Sequence, residues 1–228
     1  MKTPMSLATD PIGSTPLRAV LEEYHVRMLA ERAGPRIEVR GGRDGGEDQR
    51  MRAIGPETGR LLHTIVASLS APKVLEVGTS FGYSTLWLAD AARLAGGHLT
   101  TIELHRYKSA YATDMAARAG LSDHIDFLVG DALELIPAFE GRFDFVFIDL
   151  WKDLYLPVLD AVRTKLNAGA IIAADNMIRP GSDEVRNYGR VVRDLPGVRS
   201  LLLPVGTGLE ISILEEDDPY RRPAPKEI

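Results

Sequence analysis

The chain of 228 residues is long enough for one domain with a well-buried core and too short for two full domains. Its 45% hydrophobic and 26% charged content is typical of a globular protein and excludes disordered and fibrous classes. A net charge of −5 makes nucleic acid an unlikely general partner, and the absence of cysteine excludes disulfides, thiol catalysis and thiolate metal sites.

Neither export nor membrane insertion is predicted. The first residues, MKTPMSLATDPIGSTP, hold no apolar run of signal-peptide length. No stretch approaches the roughly 20 apolar residues that a membrane-spanning helix needs. Together with the lack of cysteine, this predicts a cytoplasmic protein without a membrane partner.

The first 50 residues are predicted to form an N-terminal unit on the substrate or dimer side. Residues 1–16 are rich in Pro, Ser, Thr and Gly, which indicates an arm. Residues 17–33 place apolar side chains at helical spacing and indicate an amphipathic helix. Glycine and charge are concentrated in residues 34–50, which predicts a long flexible loop or lid.

Short apolar strands alternate with helices from residue 53 onward. Predicted strands cover residues 73–77, 98–103, 124–130, 143–149 and 170–175. Predicted helices cover residues 53–69, 83–94, 106–119, 154–166 and 183–193, with a short helix from Ala132. This alternation predicts an α/β fold with right-handed crossovers and a doubly wound, mostly parallel sheet.

The end of the chain breaks this alternation. Residues 200–205 and 209–214 are two β-like runs with only three residues between them. Such a short connection predicts an antiparallel hairpin rather than a crossover. The predicted sheet therefore has seven strands, one of them antiparallel, in a domain over residues 51–216 that precedes a polar tail at 217–228.

A glycine-containing turn follows the first predicted strand. Gly78 and Gly82 permit a sharp turn and a close approach of a ligand. Ser80 stands where the dinucleotide fingerprint G-x-G-x-x-G has glycine, which disfavours a pyrophosphate. Glu76 suits a cationic amine instead. A plain strand-to-helix turn is the alternative interpretation.

Acidic residues follow the next two strands. Glu103 ends the second strand, where its carboxylate could accept both hydroxyls of a ribose. Asp131 follows the third strand and either contacts an adenine amine or caps the next helix. With the glycine turn, these acids favour a nucleoside that carries positive charge.

Oxygen ligands follow the fourth and fifth strands. If these strands are neighbours, Asp149, Asp175 and Asn176 converge at one edge of the sheet. Three hard oxygen ligands suit Mg²⁺, whereas helix capping is the alternative for the two aspartates. Lys152 lies three residues after Asp149 and is either a base near a cation or a surface lysine.

At these residues the chain resembles the class I S-adenosylmethionine-dependent O-methyltransferases of the catechol O-methyltransferase type. The resemblance covers about residues 54–214 and is carried, in the family's order, by IGPETGRLL, VLEVGTSFGYST, TIE, VGDALELIP, FIDLWKDLY and ADNMIRPG. It implies a Rossmann-like methyltransferase fold. It also implies methyl transfer from S-adenosyl-L-methionine to a hydroxyl of a small catechol-like or vicinal-dihydroxy acceptor.

The resemblance further implies the residues of the site. Those around the cofactor are Ile54, Glu76, Gly78, Thr79, Ser80, Ser84, Glu103, Asp131, Ala132 and Trp151. Those that bind Mg²⁺ or another divalent cation are Asp149, Asp175 and Asn176, and Lys152 is the general base. The chain departs from the family at Leu150-Trp151, where many bacterial members have Ala-Asp. It departs again at SLLLP, near where the animal catechol enzymes carry a substrate-contacting glutamate.

Other functions stay open at this point. Some bacterial relatives methylate a hydroxylated wobble uridine of tRNA, although the acidic net charge disfavours that reading. A nicotinamide-dependent oxidoreductase would share the sheet but not the glycine spacing, and a non-catalytic scaffold would not need the complete residue set. Family members are often homodimers, and the five histidines are expected in surface or capping roles.

Overall fold

The computed structural model describes residues 13–34 and 47–215. Most of the predicted arm, the middle of the predicted loop and the whole polar tail therefore lie outside the described residues. Among the described residues, no helix is long and apolar enough to cross a membrane.

Helices and strands alternate as the sequence predicts. The helices are α1 (Thr15–Ala33), α2 (Pro56–Ala67), α3 (Tyr83–Leu94), α4 (Arg106–Ala119), α5 (Ala132–Ala138), α6 (Tyr155–Arg163) and α7 (Asp183–Asp194). The strands are β1 (Lys73–Val77), β2 (His98–Glu103), β3 (Ile125–Val129), β4 (Phe143–Ile148), β5 (Leu166–Ala174), β6 (Val198–Leu203) and β7 (Leu209–Leu214). Two short 3₁₀ turns cover Ser122–His124 and Lys152–Leu154.

The seven strands form one sheet in the order β3-β2-β1-β4-β5-β7-β6. β7 runs antiparallel to both of its neighbours, and the other pairs are parallel, so the predicted architecture is confirmed. β1 pairs with β2 on one side and with β4 on the other. The strand order reverses there, which is where open parallel sheets bind ligands beyond their carboxyl ends.

Three predicted boundaries differ from the structure by three residues or more. The helix predicted from residue 53 begins at Pro56, because proline has no N–H to lose in a first helical turn. The helix predicted through residue 166 ends at Arg163, and β5 begins at Leu166. The ladder to β4 shifts register where Leu166 pairs with Phe143 and Ile171 pairs with Phe145. The residues of this bulge, 167–170, are mostly small and do not show the alternation of a strand.

Helices cover both faces of the sheet. Alternate residues of β4 point to opposite layers: Phe145 and Phe147 pack with α1, α2, α3 and α4, whereas Val146 and Ile148 pack with α5, α6 and α7. In α1, the buried side chains Leu17, Val20 and Tyr24 join the first layer. The apolar face of α1 thus packs against α3 and α4 of its own chain, where Tyr24 contacts Tyr83 and Tyr111.

Two histidines are buried, contrary to the surface or capping roles expected of them. His25 Nε2 lies 2.6 Å from the hydroxyl of Tyr83, and His63 Nε2 lies 3.0 Å from Oδ2 of Asp90. Each imidazole is buried because it finds a polar partner inside the helical layer.

Candidate active site

A cavity of about 520 Å³ opens beyond the carboxyl ends of the central strands, where the strand order reverses. Nine predicted site residues line it: Gly78, Ser80, Glu103, Asp131, Ala132, Asp149, Trp151, Lys152 and Asn176. Three others, Ile54, Thr79 and Ser84, line a much smaller adjoining cavity. Glu76 and Asp175 are buried behind these walls and line neither cavity.

The turn after β1 brings its backbone against the end of β4. Gly78 has φ +107°, and a Cβ placed on it would lie 2.1 Å from the backbone oxygen of Asp149. Ser80 continues the turn with φ +49°. Only glycine fits at position 78, because a side chain there would be both strained and in collision with β4.

The carboxylate of Glu103 is held in a fixed orientation at the end of β2. Its Oε2 accepts a 2.7 Å hydrogen bond from the backbone N–H of Ser80. Its Oε1 accepts a 3.0 Å bond from the backbone N–H of His105, whose Nδ1 lies 3.1 Å away. Glu103 and His105 both line the cavity, so a preorganised acceptor of hydrogen bonds faces the ligand space.

Glu76 is fully buried and saturated by hydroxyl groups. Its carboxylate accepts bonds from Ser84 Oγ at 2.5 Å, Thr85 Oγ1 at 2.5 Å and Thr101 Oγ1 at 2.7 Å. Burial raises the pKa of Glu76 to about 7, although the three hydroxyl donors act in the opposite direction. The structure therefore places Ser84, rather than Glu76, next to the ligand space.

Asp131 combines the two roles left open by the sequence. Its side chain is the N-cap of α5 and accepts a 2.8 Å hydrogen bond from the backbone N–H of Leu133. It also lines the cavity together with the following Ala132. A capping carboxylate can still accept a further hydrogen bond, so the cap does not prevent contact with a ligand.

The two aspartates after β4 and β5 lie close enough to interact electrostatically. Burial first, and then the charge of Asp149, raise the pKa of Asp175 to about 7. Thr207 Oγ1 donates to Asp175 Oδ1 at 2.9 Å, and Asn176 Nδ2 donates to Oδ2 at 3.2 Å. Because the adjacent strands β4 and β5 end side by side, the predicted convergence of Asp149, Asp175 and Asn176 is present.

Lys152 connects this acidic pair to Tyr155. Its Nζ donates to Asp149 Oδ1 at 3.1 Å and to the hydroxyl of Tyr155 at 2.7 Å. That hydroxyl donates to the backbone oxygen of Asp175 at 3.0 Å. Burial and the charges of Asp149 and Asp175 raise the pKa of Tyr155 well above its ordinary value, so its hydroxyl stays protonated.

The donor set fits a hard divalent cation. Asp149 and Asp175 supply two carboxylates. The side-chain nitrogen of Asn176 donates hydrogen bonds to Asp175 and to Thr207, and its amide oxygen is therefore available for a cation. All three groups are oxygen donors, the ligands that Mg²⁺ prefers. Within residues 13–34 and 47–215, no group of three or more His, Cys, Asp or Glu could hold a metal ion, so any site here includes the amide.

Several residues of the site are not predicted from the sequence, among them Arg52, Lys108, Tyr155 and Thr207. Arg52 and Lys108 line the cavity, and the Lys108 ammonium lies 5.7 Å from the centre of the Phe81 ring. No local pattern marks Arg52 or Lys108. Thr207 lies in the predicted hairpin turn, and its proximity to Asp175 follows only from the pairing of β7 with β5.

Comparisons with known proteins agree with this fold. The chain matches the O-methyltransferase family over residues 46–211. It is 36% identical over 146 residues to catechol O-methyltransferase B of Danio rerio, with 60% of this chain and 54% of that protein covered. It is 35% identical over 130 residues to a catechol O-methyltransferase of Mycobacterium tuberculosis, with 57% and 59% covered. The match thus spans little more than half the length of these two relatives.

Further relatives cover more of their own length. Over 153 residues the chain is 33% identical to the catechol O-methyltransferase of Sus scrofa, with 62% of this chain and 82% of that protein covered. A crystal structure of cofactor-bound Rv0187 from MTB superposes with a TM-score of 0.71 at 26% identity, covering 91% of this chain and 94% of that one. The resemblance to the catechol O-methyltransferase type is confirmed, and these relatives give no support to the tRNA alternative.

Proposed function

Since this chain belongs to the O-methyltransferase family, we propose that it transfers the methyl group of S-adenosylmethionine to one hydroxyl of a small aromatic acceptor with two vicinal hydroxyls. One observation carries the proposal. The amine of Lys152, the carboxylates of Asp149 and Glu103, and the side chain of Asn176 all line one cavity. The relatives named catechol O-methyltransferase support the choice of acceptor.

The cavity divides into two sides. We call Gly78, Ser80, Glu103, Asp131 and Ala132 the donor side. Glu103 is oriented to accept the ribose hydroxyls, because the backbone N–H groups of Ser80 and His105 hold its carboxylate. Asp131 and Ala132 would lie against the adenine. Gly78 leaves room for the methionine part of the methyl donor beside the end of β4.

We call Arg52, Asp149, Lys152 and Asn176 the acceptor side. Trp151, which the resemblance implies as a cofactor contact, lines the same cavity. S-adenosylmethionine supplies a methyl group on a positively charged sulfur. The acceptor oxygen forms a bond to that methyl carbon while the carbon–sulfur bond breaks. The electron pair of the broken carbon–sulfur bond stays on sulfur. The hydroxyl proton passes to the amine nitrogen of Lys152, the proposed base. The methyl transfer itself joins a deprotonated oxygen to the methyl group of a sulfonium and so neutralises charge, and the residues of the cavity therefore act mainly by positioning.

We further propose that a divalent cation is held by Asp149, Asp175 and Asn176. Such a cation would act as a Lewis acid that lowers the pKa of the acceptor hydroxyl. It would also compensate the negative charge of Asp149. The repulsion between Asp149 and the buried Asp175 supports this proposal. Asn176 is held for the role by the hydrogen bond from its nitrogen to Thr207. Cytoplasmic localisation and a homodimer stay predictions.

A product assay tests the proposed function. The purified chain is incubated with S-adenosylmethionine, magnesium chloride and catechol. The products are separated and identified by mass spectrometry. We expect a monomethylated acceptor and an equal amount of S-adenosylhomocysteine. Binding of S-adenosylmethionine without methylation of catechol or substituted catechols would contradict the proposed acceptor class.

A further inference from the structure

A short segment before α2 contributes Arg52 and Ala53 to the wall of the cavity. This segment, residues 47–54, is called the strap. The hydroxyl of Tyr107 accepts a 2.9 Å hydrogen bond from the backbone N–H of Asp48, and Ser80 Oγ donates to the backbone oxygen of Met51 at 3.1 Å. The strap is therefore anchored both to α4 and to the turn after β1.

The buried carboxylate of Asp48 holds the two arginines of the strap. Arg50 binds it through Nε at 2.9 Å and through a terminal nitrogen at 2.9 Å, whereas Arg52 uses Nε alone at 2.8 Å. Burial acts to raise the pKa of Asp48, but the bonds from Arg50 and Arg52 outweigh it and hold that pKa below its usual range. One carboxylate thus holds both guanidinium groups, Arg50 through two nitrogens and Arg52 through one.

Arg52 is the arginine of this cluster that reaches the cavity. Arg52 lines the cavity, and its guanidinium carbon lies 5.9 Å from the centre of the Trp151 ring. Trp151 directly precedes Lys152 in the chain. The backbone of Arg52 has φ +47°, a conformation in which few residues other than glycine, asparagine or aspartate occur, so the strap holds this side chain in a defined place.

The geometry points to an acceptor that carries a carboxylate in addition to its two vicinal hydroxyls, with Arg52 as the residue that binds it. Nε of Arg52 is engaged by Asp48, and within the described residues its terminal nitrogens have no hydrogen-bond partner. Two such nitrogens match the two oxygens of a carboxylate. A carboxylate on the acceptor would add negative charge beside Arg52 and the positively charged methyl donor, which a neutral acceptor does not supply.

This inference rests on the proposed function and deepens it, and matched pairs of acceptors test it. 3,4-Dihydroxybenzoate and 3,4-dihydroxycinnamate are each compared with the corresponding neutral amide. For the unmodified chain we expect kcat/KM of at least one acid to exceed that of its amide about tenfold, because one charge-assisted hydrogen bond discriminates by that much. In Arg52→Gln the ratio should fall to about one, and in Arg52→Lys it should return in part.

Arg50→Gln is the matched control. Arg50 belongs to the same cluster and is similarly exposed, with 41% of its side chain accessible against 49% for Arg52, but it does not line the cavity. The acid-to-amide ratio should therefore stay unchanged in this variant. Calorimetric titration of the acid in the presence of S-adenosylhomocysteine gives a second measurement, in which Arg52→Gln alone should weaken binding.

Each outcome separates the inference from the proposed function. Equal rates on acids and amides in the unmodified chain overturn the inference and leave the methyltransferase function standing. Equal losses on both acceptors in Arg52→Gln also overturn it, because Arg52 would then only stabilise the strap. If no dihydroxy acceptor is methylated, the proposed function fails, and the inference fails with it.

Discussion

The donor side and the acceptor side of the cavity differ in how their charges are neutralised. On the donor side, Glu103 and Asp131 each accept hydrogen bonds from backbone N–H groups. On the acceptor side, Asp149 and Asp175 repel each other, and Lys152 pairs with only one of them. The carboxylates of the donor side thus find their hydrogen-bond donors within the protein. The carboxylates of the acceptor side keep negative charge that a bound cation would compensate.

The largest effect is expected from removing the amine of the acceptor side. Lys152→Ala should lower kcat by about a hundred- to ten-thousandfold, because general base catalysis contributes that much. Binding of S-adenosylmethionine, measured by calorimetry, should change little. Lys73→Ala is the control, since Lys73 is an exposed lysine at the start of β1. Unchanged turnover in Lys152→Ala would refute the assigned base.

Removal of divalent cations should have the next largest effect. EDTA is expected to lower kcat/KM about a hundredfold or more, and added magnesium should restore it, because Lewis-acid stabilisation amounts to several kcal/mol. Donor binding, followed by calorimetry, should not respond. If the acceptor side needs no cation, full activity will persist in EDTA.

A variant pair locates that cation. Asp149→Asn should reproduce the loss seen in EDTA, since it removes one of the two carboxylates beside Asn176. The exposed Asp160, with 77% of its side chain accessible, gives the control Asp160→Asn, which should keep full activity. Equal activity of the two variants would place the cation elsewhere.

A substitution on the donor side is expected to weaken binding of the methyl donor, with a smaller effect than the losses of turnover described above. Glu103→Gln should weaken S-adenosylmethionine binding about tenfold or more, because hydrogen bonds to a charged group are worth about 1.5–3 kcal/mol. The loss should show in KM for the donor and in its calorimetric Kd, and much less in kcat. Glu140→Gln, at an exposed glutamate, is the control. A change confined to kcat would mean that Glu103 acts outside donor binding.

The smallest effect concerns stability and its dependence on pH. The folded-state pKa of Glu76, about 7, is above its ordinary value of 4.5, so the folded chain retains a proton that the unfolded chain releases. The stabilisation from this group is therefore fully present below about pH 4.5 and is lost as the pH rises to 7. It amounts to about 3 kcal/mol at most.

Glu76→Gln tests this linkage without a ligand. The glutamine cannot ionise, so the melting temperature of the unmodified chain should fall relative to the variant between pH 5 and pH 8. Thermal unfolding of both proteins at these two values measures the difference. A constant difference across this range would show that Glu76 does not titrate as its buried surroundings require.

Most of the donor side is predictable from the sequence, because its groups come directly after strands that local patterns reveal. Glu103 and Asp131 follow β2 and β3, and Asp149 and Asp175 follow β4 and β5 in the same way. Glu76 shows the limit of such reasoning. Its position at the end of β1 is predicted, but alternation along a strand does not say that three hydroxyls surround its carboxylate.

By itself the sequence determined the alternation of strands and helices, the antiparallel hairpin and the strand ends that carry oxygen ligands. These features follow from periods of 2 and 3.6 residues, which are local properties. Only the tertiary structure decided that β7 brings Thr207 to Asp175 and that the strap brings Arg52 to Trp151. These contacts join residues 32 and 99 positions apart, and no local period encodes such pairings.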